Sequence, residues 1–88
     1  MDFRWNDWNR DHIAEHGITP EEVEEVVTLA KPPFPEYRGD GKHAVWGQTA
    51  SGRCLQVIYI VDPHPLRYVI HARTLDEQEK RSLRRRRK

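Results

Sequence analysis

Three strand-type runs crowded into the second half of the chain constrain its fold more than any other feature. They are residues 43–49 (HAVWGQT), 53–61 (RCLQVIYIV) and 67–73 (RYVIHAR), separated only by Ala50-Ser51-Gly52 and Asp62-Pro63-His64-Pro65. The runs are rich in β-branched and aromatic residues, and both connections are turn formers. Connections this short join antiparallel neighbours, because a parallel crossover needs a dozen residues or more. The pattern predicts an antiparallel meander with 53–61 as its central strand. Alternation there places Leu55, Val57, Tyr59 and Val61 on one face and Cys54, Gln56, Ile58 and Ile60 on the other, so that strand is expected to be covered on both sides at its far end.

Upstream, the periodicity changes from two to 3.6. Asn6 or Asp7 can cap a first helix that runs to about His16, where Gly17 stops it. Thr19-Pro20-Glu21-Glu22 is a capping box with proline at the first helical position, and Val23, Val26, Val27 and Ala30 then fall on one stripe. The glutamates of this second helix suit the positive end of its dipole and receive no catalytic role. Pro32, Pro33 and Pro35 end it and open an exposed stretch, Glu36 to Lys42, whose Gly39 and Gly41 suggest a mobile loop. Thr74-Leu75-Asp76-Glu77 repeats the capping pattern and starts a third helix that passes Glu79 and Leu83 before dissolving into an arginine run. With Phe3–Trp5 as a short strand or anchor, the expected class is α+β: two N-terminal helices, an antiparallel sheet of three to four strands, and a C-terminal helix.

At 88 residues the chain has room for one domain, spanning 1–88. One cysteine, Cys54, permits neither an internal disulfide nor a four-cysteine zinc site. No run approaches the 18 apolar residues of a membrane span, and the start of the chain lacks the order of a signal peptide, so a cytoplasmic protein without membrane partners is expected. The net charge of +1 conceals an asymmetry: residues 80–88 (KRSLRRRRK) carry seven of the 15 basic residues and no acid, leaving 8 basic against 14 acidic elsewhere. A basic end on an acidic body is an electrostatic footprint for phosphate at one place.

The chemistry available to such a footprint lies on the last strand. A strict period of two puts Arg67, Val69, His71 and Arg73 on one face, with His43 and Arg53 at the starts of neighbouring strands. Metal-free RNA cleavage needs a base for the ribose 2′-hydroxyl, cations for the charged transition state and an acid for the leaving oxygen, and His with Arg supply all three. Flanking guanidinium groups lower an imidazole pKa, and arginine grips phosphate bidentately. His12 and His16 share a helix face at i, i+4, but no matching third ligand is evident, so no metal and no small-molecule cofactor are expected. The chain contains no Gly-rich phosphate loop and no nucleophile elbow. Trp5 and Trp8 read as packing groups, and Trp46 as core or as a base-stacking platform.

Phe3-x-Trp5, the His16-Gly17-Ile18 step before Thr19-Pro20-Glu21-Glu22, the Gly52-Arg53 hairpin, and Val69-Ile70-His71-Ala72-Arg73 followed by Glu79-Lys80-Arg81 resemble the BrnT toxin family over nearly the whole chain. The resemblance implies a RelE-like ribonuclease fold, a toxin role in a type II toxin–antitoxin pair, and a ribbon-helix-helix, BrnA-like antitoxin as partner. The chain departs from that pattern where Asn9 replaces a common lysine, Glu15 a basic residue, and Leu83 an aromatic one. The resulting expectation is a metal-independent endoribonuclease in which Arg73 and Arg53 hold the phosphate, His71 or His43 moves protons, and Glu79 orients Arg73 or acts as base. Arg67, Lys80, Arg81, Arg84, Arg85, Arg86 and Arg87 would then bind RNA. The alternative is a non-catalytic module on the same fold that binds RNA, the ribosome or a protein.

Overall fold

The structure is a computed structural model and describes residues 2–86. Its elements are β1 (Phe3–Arg4), α1 (Asp7–Ala14), α2 (Pro20–Thr28), β2 (Glu36–Gly39), β3 (Lys42–Gln48), β4 (Cys54–Val61), β5 (Arg67–Thr74) and α3 (Glu77–Arg86). The fold is α+β, as expected, with one sheet in the order β1-β5-β4-β3-β2. The meander β3-β4-β5 is antiparallel and central.

Both edges of the sheet differ from the expected three- to four-stranded antiparallel form. Phe3 and Arg4 pair in parallel with Arg67 and Tyr68, which makes the sheet mixed and places a strand ahead of the two helices. The stretch read as a mobile loop is the opposite edge strand: Glu36 and Tyr37 pair with Ala44 and His43. Gly39 and Gly41 adopt positive φ around Asp40, also at positive φ, so these glycines turn a hairpin tightly. Pairing then satisfies a backbone that a loop would leave to water.

The core follows from register. Opposed residues of neighbouring strands share a face, so Val45, Val57 and Ala72 form one row and Gly47, Leu55 and Thr74 the next. This face packs under α2, and a Cβ on Gly47 would come within 3.0 Å of Val26 Cγ1, so the absence of a side chain there lets the helix sit close. Val23, Val26 and Val27 are buried, as the second helix's stripe predicts, and Ile13 of α1 and Leu83 of α3 join the same cluster.

A bulge in β5 resets the alternation. Ile58 faces His71 while the next residue, Tyr59, faces Val69, so Ile70 is an extra residue in the ladder. Val69 and Arg67 therefore stay on the Tyr59 side, and His71, Arg73 and Tyr68 lie on the other. This corrects the single face expected for Arg67, Val69, His71 and Arg73. The strict period of two fails at one residue, and each position beyond it changes side.

The third helix also departs from expectation. Its N-terminal box is Asp76 with Glu79, not Thr74 with Glu77: Glu79 N–H donates to Asp76 Oδ1 at 2.8 Å and Asp76 N–H to Glu79 Oε1 at 2.9 Å. It persists through Arg86 rather than dissolving at the arginines, whose charge suits the negative end of the helix dipole. No helix of the described residues is long and apolar enough to cross a membrane.

Leu55→Ala, which empties a site with 0% exposure on the core face, will lower unfolding free energy by about 2–5 kcal/mol in urea titration. Val61→Ala, at the 40% exposed end of the same strand, will change it by no more than about 0.5 kcal/mol.

Candidate functional site

α1 is fastened to β1 by asparagine. Asn6 caps it in a reciprocal box with Asn9: Asn9 N–H donates to Asn6 Oδ1 at 3.1 Å, and Asn6 N–H to Asn9 Oδ1 at 2.8 Å. Asn9, fully buried, also donates its amide to the Arg4 carbonyl at 3.0 Å. A lysine would keep the backbone donation to Asn6 but lose both side-chain bonds and bury a charge, which gives Asn9 a structural role. Leu83 is likewise a core residue.

Fixing α1 fixes a line of rings at four-residue spacing: Trp8, His12 and, just past the helix, His16. The line meets the β5 face exposed by the bulge. His71 lies 6.0 Å from His12 and 5.6 Å from His16 between ring centroids. Trp8 stacks on His12 at 5.0 Å with 9° between the planes, and on Tyr68 at 6.3 Å. The Arg4 guanidinium caps the Tyr68 ring at 3.9 Å while its Nε donates to Asp62 at 2.8 Å.

Burial holds the His71 imidazole below its ordinary value of 6.5, and the charges of His16, His12 and Arg73 push in the same direction. The neutral form of His71 is thereby favoured, the condition a general base needs near pH 7.

Two residues further along the same face, Arg73 forms a fork-to-fork pair with Glu79, both contacts at 2.8 Å. The pair joins β5 to α3, and Arg73 also reaches Gln56 Oε1 at 3.4 Å. Hydrogen bonds from Arg73 and from the Asp76 N–H hold Glu79 down at about 2, and the same pairing raises Arg73. A carboxylate that acidic is a poor proton acceptor near neutrality, so its chemistry is to orient Arg73.

The other expected site residues lie apart from this group. Arg53 donates to both Glu22 oxygens at 2.9 Å and to the Gly17 carbonyl at 3.0 Å, on the α2 side of the molecule. It clamps the junction of α1 and α2 and does not converge with Arg73. His43 stacks on Tyr59 at 5.2 Å, across the sheet from His71, and the Arg67 guanidinium lies 5.8 Å from the same Tyr59 ring. On α3, Lys80 pairs with Glu77, and Arg86 folds back over Phe34 and Trp46 with its Nη1 3.7 Å from Glu36. Arg81, Arg84 and Arg85 are exposed. Arg87 lies outside the described residues, among which no group of three or more His, Cys, Asp or Glu side chains is arranged to hold a metal ion.

His12, His16 and Trp8 belong to the site yet were read from sequence as a failed metal pair and a packing group. Their spacing of four was the available signal. Its link to His71 depends on how α1 lies beside β5, which no local pattern encodes.

In NMR titration, His71 will protonate below 6.5, and its midpoint will move up toward that value in His16→Gln, which removes a neighbouring charge. Glu79→Gln keeps the cap and removes the ion pair. Because the folded pKa of Glu79 is depressed, its stabilisation is complete above the ordinary 4.5 and lost as pH falls toward about 2. The variant will therefore show a shallower loss of stability across that window, measured by urea denaturation at stepped pH. No family model, curated protein or solved structure matches the chain.

Proposed function

We propose that this protein is a metal-independent endoribonuclease toxin of a type II toxin–antitoxin pair. The observation that supports the reading is the convergence of three imidazoles, His71, His12 and His16, beside the oriented guanidinium of Arg73. His71 takes the proton from a ribose 2′-hydroxyl, and the freed oxygen attacks the adjacent phosphorus. The bond from phosphorus to the 5′-oxygen breaks, and that oxygen receives a proton from an α1 imidazolium. The products are a 2′,3′-cyclic phosphate and a 5′-hydroxyl. Arg73 faces the charge that builds on the phosphate, with Glu79 as its positioning residue. Arg81, Arg84 and Arg85 on α3 add affinity that is independent of sequence and weakens with salt.

Resemblance to the BrnT family supports a RelE-like ancestry, a cytoplasmic setting, and a ribbon-helix-helix antitoxin that covers the cationic face with acidic or aromatic groups. A second reading, a non-catalytic binding module, is favoured by one specific observation. Arg73 and Arg53, the two arginines expected to hold phosphate, are both engaged by carboxylates and lie on different sides of the sheet.

Incubation with mixed RNA in EDTA separates the two. Wild type will yield fragments ending in 2′,3′-cyclic phosphate, and His71→Ala will slow their release by roughly 10²–10⁴-fold. Intact RNA that is bound in a salt-sensitive way would sink the nuclease and leave the binding module.

A further inference from the structure

The ring line that leads to His71 carries more exposed aromatic surface than a packing role requires. Trp8 is 55% exposed although it touches both His12 and Tyr68. Burial of an indole normally contributes stability in proportion to the area removed from water, and here more than half of the residue's surface is left open. The neighbouring planes are nearly parallel to it, at 9° and 20°, and the far end of the track is closed by the Arg4 guanidinium over Tyr68. Arg4 is held by Asp62, and Tyr68 donates its hydroxyl to the Asn6 side chain at 3.3 Å, so the Tyr68 end of the track is fixed before any ligand arrives.

We infer that Trp8 is a stacking subsite for an unpaired nucleobase of single-stranded RNA, next to the nucleotide whose phosphate reaches His71. A base on a chain of anions is the ligand this surface matches: the exposed part of Trp8 offers a stacking surface, and guanidinium groups flank the track, Arg4 held by Asp62 at one end and Arg73 held by Glu79 beyond His71 at the other. A duplex hides its base faces in its own stack and has nothing to offer Trp8. The inference deepens the ribonuclease reading and rests on its assumption that the ligand is RNA.

The test uses a mixed-sequence 2′-O-methyl RNA octamer, which cannot be cleaved by 2′-hydroxyl attack, so binding is measured whether or not the protein is a nuclease. The octamer will quench tryptophan fluorescence in the intact protein, and the same strand annealed to its complement will not. Trp8→Ala will weaken octamer binding roughly 5- to 150-fold, the span that alanine substitution gives for one stacked base. It will leave the salt dependence of binding unchanged, because no phosphate contact is lost. Trp8→Phe, which keeps a π-face and serves as the folding control, will recover a substantial part of the affinity. Equal octamer affinity in wild type and Trp8→Ala overturns the inference and assigns Trp8 to a protein partner. Its failure is distinct from failure of the nuclease: unmodified RNA that is cut with unchanged KM in Trp8→Ala sinks the stacking site alone. Trp8-dependent octamer binding by a protein that leaves unmodified RNA intact sinks the nuclease alone.

Discussion

One inserted residue in β5 determines what each side of this sheet can do. Had the alternation run unbroken, His71 and Arg73 would share a face with Val69, and either two polar groups would enter the core or the core would lose its central valine. The bulge at Ile70 lets the strand bury Val69 and Ala72 against the α2 face and still turn His71 and Arg73 outward. Burying an unpaired imidazole and guanidinium would cost several kcal/mol, an appreciable part of the ~5–15 kcal/mol that stabilises a small domain. The bulge avoids that cost, and bulges recur where a strand must re-aim a side chain.

Helix termini do the remaining positioning, and they do it twice with the same device. Glu22 and Glu79 are each the third residue of a helix, each closes a capping box, and each grips an arginine: Arg53, just before β4, for α2 and Arg73 of β5 for α3. A single carboxylate satisfies an orphan backbone donor and neutralises a half-buried guanidinium, so helix register and arginine orientation are set together. The consequences differ with surroundings. Arg53 ends against the Gly17 carbonyl and serves as a clamp, whereas Arg73 stands on the same open face as three imidazoles.

What was legible in the sequence follows the range of the interactions. The Thr19–Glu22 capping box, the valine stripe of α2 and the three-stranded meander rest on contacts among near neighbours, and their patterns appear directly. β1 and β2 were harder to see because two and four residues carry little periodic signal, and pairing with a distant strand is what makes them strands. Gly39 and Gly41 mark a turn or a loop equally well, and only the partner strand decides between them. The site was half legible: His71, Arg73 and Glu79 stand together in sequence, but the phase of β5 depended on a bulge that no residue type announces. His43 and Arg67 were placed with them by assuming regular alternation, and they gather instead at Tyr59 on the other side. The α1 histidines came into the site through tertiary packing, anchored by Asn9, whose burial no local rule predicts.

The proposed cleavage depends on imidazoles of β5 and α1 acting as a proton-transfer pair. The most direct measurement is the pH dependence of kcat/KM for a short RNA substrate in EDTA, compared between wild type and His71→Gln. A bell-shaped profile is expected for wild type, with its acid limb set by His71 below pH 6.5 and absent from the variant. A profile that is flat between pH 5 and 8, or an acid limb that survives His71→Gln unchanged, would contradict the claim.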